Sequence, residues 1–189
     1  MKKCLTLIFS LIIIQLAFAQ QEKTEGRIFK KFKVDVSGGY AVPQSTGNRT
    51  GKKAGALFAI EPKYAVMDQL SLGLRLELEV TANIDVAGNT GSAKANGSYL
   101  ATGDYYFTNT KLRPFAGIGG GMFTTASVDT STIINSASDI PQSTKFGFMA
   151  RGGFEYGHLR IGLEYNFVAD KSGYLGIKLG ACIGGGRKK

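Results

Sequence analysis

The stretch LSLGLRLELEV, Leu70 to Val80, constrains this chain more than any other. Leu70, Leu72, Leu74, Leu76, Leu78 and Val80 occupy every second position, and Ser71, Gly73, Arg75, Glu77 and Glu79 lie between them. Strict alternation is the period of a β-strand, whose successive side chains point to opposite faces. One face is therefore aliphatic, and the other carries a guanidinium and two carboxylates. A soluble sheet would bury the leucines and wet the charges. A barrel in a membrane would do the reverse.

The same period recurs along the chain. Candidate strands are FKVDVSGGYAV, Ala56 to Tyr64, Leu70 to Val80, Tyr99 to Phe107, Arg113 to Phe123, FGFMARGGFEY, LRIGLEYNF and YLGIKLGACI. Glycine blurs the fifth of these, RPFAGIGGGMF. No long helical pattern interrupts the series. The links alternate in length. Those at about 43–55, 81–98 and 124–145 are long and rich in Ser, Thr, Asn, Gly and Lys, and a fourth on the same side, at about 168–173, is short. Those at about 65–69, 108–112 and 157–158 are tight. Short turns at one end and polar loops at the other are the pattern of an even-stranded membrane barrel.

Three features favour lipid outside and charge inside. Every candidate strand carries an apolar face, including those that would be edges of an open sheet. Phe32, Tyr40, Tyr64, Tyr99, Phe107, Phe146, Phe154, Tyr156, Phe167 and Tyr174 gather near strand ends, as interfacial girdles do. Acids, bases and glycines share the opposite face, and glycine suits the crowded interior of a small barrel. An open edge in hydrocarbon would strand backbone N–H and C=O groups, so strands facing lipid must close. The predicted fold is all-β, an eight-stranded antiparallel up-and-down transmembrane β-barrel. A soluble sandwich or a lipocalin-like barrel is the alternative.

The N-terminus opens MKKCLTLIFSLIIIQLAFAQ. Lys2 and Lys3 precede an apolar run from Leu5 to Leu16, and Ala17-Phe18-Ala19 fits a small-x-small cleavage site. The run is shorter than the roughly 20 apolar residues of a spanning helix. Cys4 precedes the run, whereas a lipidated Cys would follow it. The reading is a signal peptide at 1–19, a periplasmic segment at 20–31, a barrel at 32–186 and a basic tail at 187–189. Loss of Lys2 and Lys3 takes the formal charge from +9 to +7. The remaining basic residues are dispersed, several beside acids in strands, so nucleic acid is not an expected partner. Cys182 is the one thiol left after cleavage, which precludes an internal disulfide.

The polar face offers Asp35, Glu61, Lys63, Arg75, Glu77, Glu79, Asp104, Arg151, Glu155, Arg160, Glu164 and Lys178. A charged channel or proton relay is one reading. An ion-paired plug is the other, and the size argument favours it. An eight-stranded barrel has an interior just wide enough for side chains to fill. Unpaired buried charge is costly. Of these residues, Glu61, Arg75, Glu77, Glu79, Asp104, Arg151, Glu155, Arg160, Glu164 and Lys178 are taken as a structural lumen network.

No catalytic, cofactor or metal site is expected. Glu77 and Glu79 have the spacing of an acid/base pair, but Arg75 stands beside them. His158, the one histidine, falls in a predicted turn. GIGGG, Gly117 to Gly121, fails the dinucleotide fingerprint at Met122, and no helix follows it. Cysteine and histidine are too few for a zinc site.

GDYYF (Gly103–Phe107), LRPFAGIGGG (Leu112–Gly121) and YLGIKLGACIGGG (Tyr174–Gly186) resemble the small eight-stranded outer-membrane barrels, the OmpA-transmembrane and OmpX-like group. The likeness is greatest to porin-family outer-membrane β-barrel proteins of Bacteroidetes. It implies residence in outer-membrane lipid, insertion by the barrel-assembly machinery, a monomer, and loops 43–55, 81–98 and 124–145 available to an extracellular ligand. One departure stands out. Such barrels end on an aromatic residue, whereas here the last strand runs into Gly184-Gly185-Gly186-Arg187-Lys188-Lys189. A surface or structural barrel and a narrow pore for small solutes both remain open on these grounds.

Overall fold

The computed structural model describes residues 27–43, 53–84, 91–129, 142–169 and 173–188. The expected signal peptide at 1–19 lies outside them. The strands are β1 (Phe32–Pro43), β2 (Lys53–Ala65), β3 (Leu70–Ile84), β4 (Gly91–Tyr106), β5 (Leu112–Asp129), β6 (Gln142–Tyr156), β7 (Leu159–Val168) and β8 (Tyr174–Gly184). Each pairs antiparallel with its sequence neighbour, and β1 pairs with β8 from Lys33↔Gly184 to Pro43↔Tyr174. The sheet is thus a closed eight-stranded barrel, and a two-sheet sandwich is ruled out. Among the described residues there is no helix.

The leucine row faces out. Leu74 is 67% exposed and Leu78 51%, while Arg75 and Glu79 are each 1% exposed. The other strands follow the same rule: Phe148, Phe154, Ile161, Leu163, Ile177 and Leu179 stand on the exterior. An exterior built of Leu, Ile, Phe and Tyr over a charged interior inverts the arrangement of a water-soluble barrel.

Two sequence expectations are corrected. The links at 81–98 and 124–145 are strand at both of their ends. β3 runs on to Ile84 and β4 begins at Gly91, with pairs such as Thr81↔Lys94; β5 reaches Asp129 and β6 starts at Gln142. Likewise β2 begins at Lys53, inside the link placed at 43–55. The ladder is made by backbone groups, so it continues where both faces become polar and the alternation fades. β5 has 18 residues, about 60 Å at roughly 3.3 Å per residue. That far exceeds an apolar band of about 25 Å.

The second correction is Tyr174, which is no girdle residue: it is 2% exposed and points inward. β5 forms the strand expected from Arg113 to Phe123, its ladder running through the glycines that blur the pattern. Gly117, Gly119 and Gly121 take inward positions there. A Cβ at Gly117 would stand 2.1 Å from Asp104 Oδ1, so this glycine makes room for a buried ion pair.

At the turn end the chain does not stop at the barrel rim. Gly184 and Gly185 adopt φ of 82° and 67°, a left-handed conformation that glycine reaches without a Cβ clash. They redirect the chain so that Arg187 bridges Phe29, Lys30 N donates to Gly186 O and Lys188 N donates to Ile28 O.

Candidate functional site

Phe29 lies at the turn-side mouth and is 8% exposed. The Arg113 guanidinium stacks 3.9 Å from its ring centre and 4.0 Å from that of Tyr106. Arg113 also donates to Asp68 O at 2.5 Å, and the Asp68 carboxylate accepts from Ile28 N and Phe29 N. One arginine thus joins the N-terminal segment, the β2–β3 turn and the lumen.

Above it, Lys33 meets Glu155 at 2.5 Å and donates to Tyr106 Oη at 2.8 Å. Arg160 donates to the same oxygen at 2.9 Å. Asp104, fully buried, gathers three cations: Lys63 at 2.6 Å, Arg160 at 2.7 Å and Arg151 at 2.8 Å. Lys63 also holds Asp35 at 2.6 Å. Arg151 grips Glu61 with two parallel bonds of 2.7 and 2.6 Å. This fork-on-fork geometry is the strongest form of the pair.

Farther toward the loops, Arg75 pairs with Glu164 at 2.6 Å and with Glu77. Lys178 joins both carboxylates, at 2.8 Å to Glu164. Tyr174 Oη donates to Glu77 Oε1 at 2.5 Å. Glu79 accepts from Thr81 Oγ1 and Asn96 Nδ2. The two glutamates of the LELEV run therefore have different partners, and they form no acid/base pair.

All ten residues of the expected network line the lumen. Ion pairs tie Glu61, Arg75, Glu77, Asp104, Arg151, Glu155, Arg160, Glu164 and Lys178, and Glu79 accepts from Thr81 and Asn96. Sequence reasoning left out Lys33, Asp35, Lys63 and Arg113 from that set, together with Tyr106 and Tyr174. Parity was the available signal: Tyr106 shares a face with Asp104, and Tyr174 shares one with Lys178. Among the described lumen residues, seven cations face seven carboxylates, and Lys145 lies beyond them on the same inward face of β6, opposite Phe123. Lys33, Lys63, Arg75, Arg113, Arg151, Arg160 and Lys178 oppose Asp35, Glu61, Glu77, Glu79, Asp104, Glu155 and Glu164.

Loopward of this network the lining turns apolar. Ala41, Leu57, Leu100, Phe123, Met149 and Tyr174 form one buried cluster, with Val168 packed against it. Below it, a cavity bordered by Asp35, Arg75, Arg151, Arg160, Glu164 and Lys178 measures about 30 Å³. That is the room of about one water molecule.

His158 sits in the β6–β7 turn, its Nδ1 2.8 Å from Cys182 O. Cys182 is buried and free. Among the described residues, no group of three or more His, Cys, Asp or Glu is placed to hold a metal ion. What the lumen can do is rigidify the cylinder and obstruct it.

No protein-family model matches the chain, and no curated protein does either. Solved structures do match. Neisserial surface protein A aligns over 85% of this chain and 99% of its own, at 18% identity and a TM-score of 0.59. Ail, the attachment invasion locus protein of Yersinia pestis, was solved with the heparin analogue sucrose octasulfate. It covers 84% of this chain and 100% of its own, at 11% identity and a TM-score of 0.49. The β-barrel domain of Pseudomonas aeruginosa OprF covers 82% and 99%, at 13% identity and 0.46. At these identities the likeness to the Neisserial protein establishes the barrel fold and nothing finer.

Proposed function

We propose that this chain is an integral outer-membrane β-barrel of structural or surface-interaction type, with a closed lumen and loops that meet partners outside the cell. One observation carries the reading: leucine and aromatic rows cover the exterior while matched charges fill the interior. Burying charge to expose hydrocarbon is unfavourable in water and favourable only where the solvent is lipid. The same inversion argues against a soluble lipocalin-like carrier, which needs an apolar interior for its ligand. The OmpX-like resemblance of Gly103–Phe107 and Tyr174–Gly186 points the same way.

The filled lumen favours a structural barrel over a pore. A solute would have to displace both the Asp104 cluster and the apolar layer around Phe123 and Met149. Partners under this reading are outer-membrane lipid and the barrel-assembly machinery, which would serve the closing of the β1–β8 seam. The barrel acts as a monomer, since apolar rows surround it on every side. Ligand contacts fall to the links 44–52, 85–90 and 130–141, which lie outside the described residues. No enzymatic role is proposed, because the lumen carboxylates are held by cations or hydrogen-bond donors and the His158 ring meets a backbone carbonyl, Cys182 O.

The test is the behaviour of the purified protein. Folded and boiled samples should migrate differently on a detergent gel, and membrane fractionation should place the protein with outer-membrane lipid. In planar bilayers it should stay silent. Discrete, reproducible conductance altered by Arg75 substitution would favour the pore, and recovery from detergent-free supernatant would remove the membrane assignment.

A further inference from the structure

The exterior carries one feature that lumen packing leaves unexplained. A groove of about 440 Å³ opens on the outer wall between Phe32, Pro62, Tyr64, Leu72, Leu74 and Ala101. Its origin is legible in the sequence. Pro62 and Ala101 offer little outward bulk, and Gly103 has no side chain, so the flanking rings and leucines stand proud of them. The β2–β3 ladder is interrupted here, between Ile60↔Leu76 and Lys63↔Gly73, where Pro62 has no N–H to give. The volume falls within the roughly 300–1,000 Å³ of small-molecule sites.

The groove's turn-side end is basic. Arg27 donates to Ala65 O at 2.8 Å and to Val66 O, and Ala65 N donates to Lys31 O at 2.7 Å. The Arg27 guanidinium is thereby fixed one residue past Tyr64, at the rim of the apolar trough, and Lys31 is tied to the same place through its backbone. They belong to a wider asymmetry. Among the described residues outside the lumen, the turn end carries Arg27, Lys30, Lys31, Lys111, Arg187 and Lys188 against Asp68. The Asp68 carboxylate is engaged by Ile28 N and Phe29 N.

We propose that this groove binds one anionic phospholipid of the leaflet at the turn end, an acyl chain lying along Tyr64, Leu72 and Ala101 and the phosphate meeting Arg27 and Lys31. The inference rests on the membrane reading above and adds a defined lipid to it. An apolar trough ending in a basic rim matches one molecule that is hydrocarbon at one end and phosphate at the other. A basic residue near a bilayer surface favours anionic lipid by about fivefold.

The chain contains no tryptophan, so single-Trp reporters are clean. Tyr64→Trp places one at the groove, and Ile161→Trp places one on the exterior of β7. Each is refolded into vesicles of phosphatidylcholine and phosphatidylglycerol, with one or the other brominated, and folding is checked by heat-modifiability. Brominated phosphatidylglycerol should quench the Tyr64→Trp reporter about fivefold more effectively than brominated phosphatidylcholine. At Ile161→Trp the two should be equal. Lys31→Glu should abolish the preference, and so should Ala101→Phe, which fills the groove from the lipid side.

Equal quenching by both lipids at Tyr64→Trp would overturn the site and leave the membrane reading intact. So would a preference that survives both substitutions. Absence of quenching at either reporter would overturn the membrane reading as well. Sedimentation with purified peptidoglycan that depends on Lys31 and Arg187, without any lipid preference, would assign the basic end to the cell wall and overturn the lipid site.

Discussion

Arg151 and Glu61, separated by 90 positions in sequence, face each other across the lumen as a two-pronged pair at 2.7 and 2.6 Å. The same guanidinium reaches Asp104 through Nε at 2.8 Å. One side chain on β6 thus joins β2 and β4, neither of which is its ladder neighbour. Cross-barrel pairing of this kind makes the interior a brace.

Breaking that brace at its most connected point should be costly. Asp104→Ala leaves Lys63, Arg151 and Arg160 facing one another with a carboxylate removed. Loss of one partner of a buried pair costs about 3–5 kcal/mol. Urea unfolding in vesicles, monitored by the gel shift, should show that loss. Adding Arg151→Met should restore part of it, because the two positions are coupled. Strict additivity would mean that they do not act as a pair.

The leucine row makes a depth-dependent prediction. Leu74→Arg puts a guanidinium into the apolar band, at about 2–4 kcal/mol if the residue lies near the midplane. Phe32→Arg, at the turn-side rim, should cost about 1 kcal/mol or less. Folding equilibria of the two variants in vesicles measure the difference. Equal costs would place Leu74 outside hydrocarbon.

Backbone spacing sets a third outcome. A Cβ at Gly121 would stand 2.0 Å from Tyr99 O, a backbone atom that cannot swing away. At Gly97 nothing lies within 4 Å. Gly121→Ala should lower folding yield sharply, while Gly97→Ala should leave it unchanged. Band intensities on a cold detergent gel suffice as the readout.

The turn-side cap can be tested through Cys182, which is buried at 2% exposure on the inner face beside Asp35. In the folded protein it should resist a small thiol reagent. Phe29→Ala combined with Arg113→Ala removes the stack over the mouth, and the labelling rate should rise by about tenfold or more, as expected for a local opening made easier by about 1.4 kcal/mol. Unchanged protection would show that the mouth is closed by other groups.

Much of the molecule was legible from period two alone. Alternation assigned Leu72, Leu74 and Leu76 to one face and Arg75, Glu77 and Glu79 to the other, because a strand has only two sides. Tight turns such as Gly157–His158 were readable from their brevity. The full reach of β3 to β6 was not, since serine, threonine and glycine pair through their backbones without marking a face. Tyr174 was missed for a related reason: an aromatic residue at a strand end reads as a lipid anchor until its parity is compared with that of its neighbours.

Sequence by itself therefore determined the number of strands, which side chains share a wall, and that the interior would hold charges of both signs. Only the closed structure decided that Arg151 meets Glu61, that Asp104 gathers three cations, and that Phe29 and Arg113 cap the mouth. The reason is geometric. Facing is a local property, set by each residue's own backbone, whereas partnership across a cylinder depends on strand tilt and register, which exist only once β1 and β8 have joined.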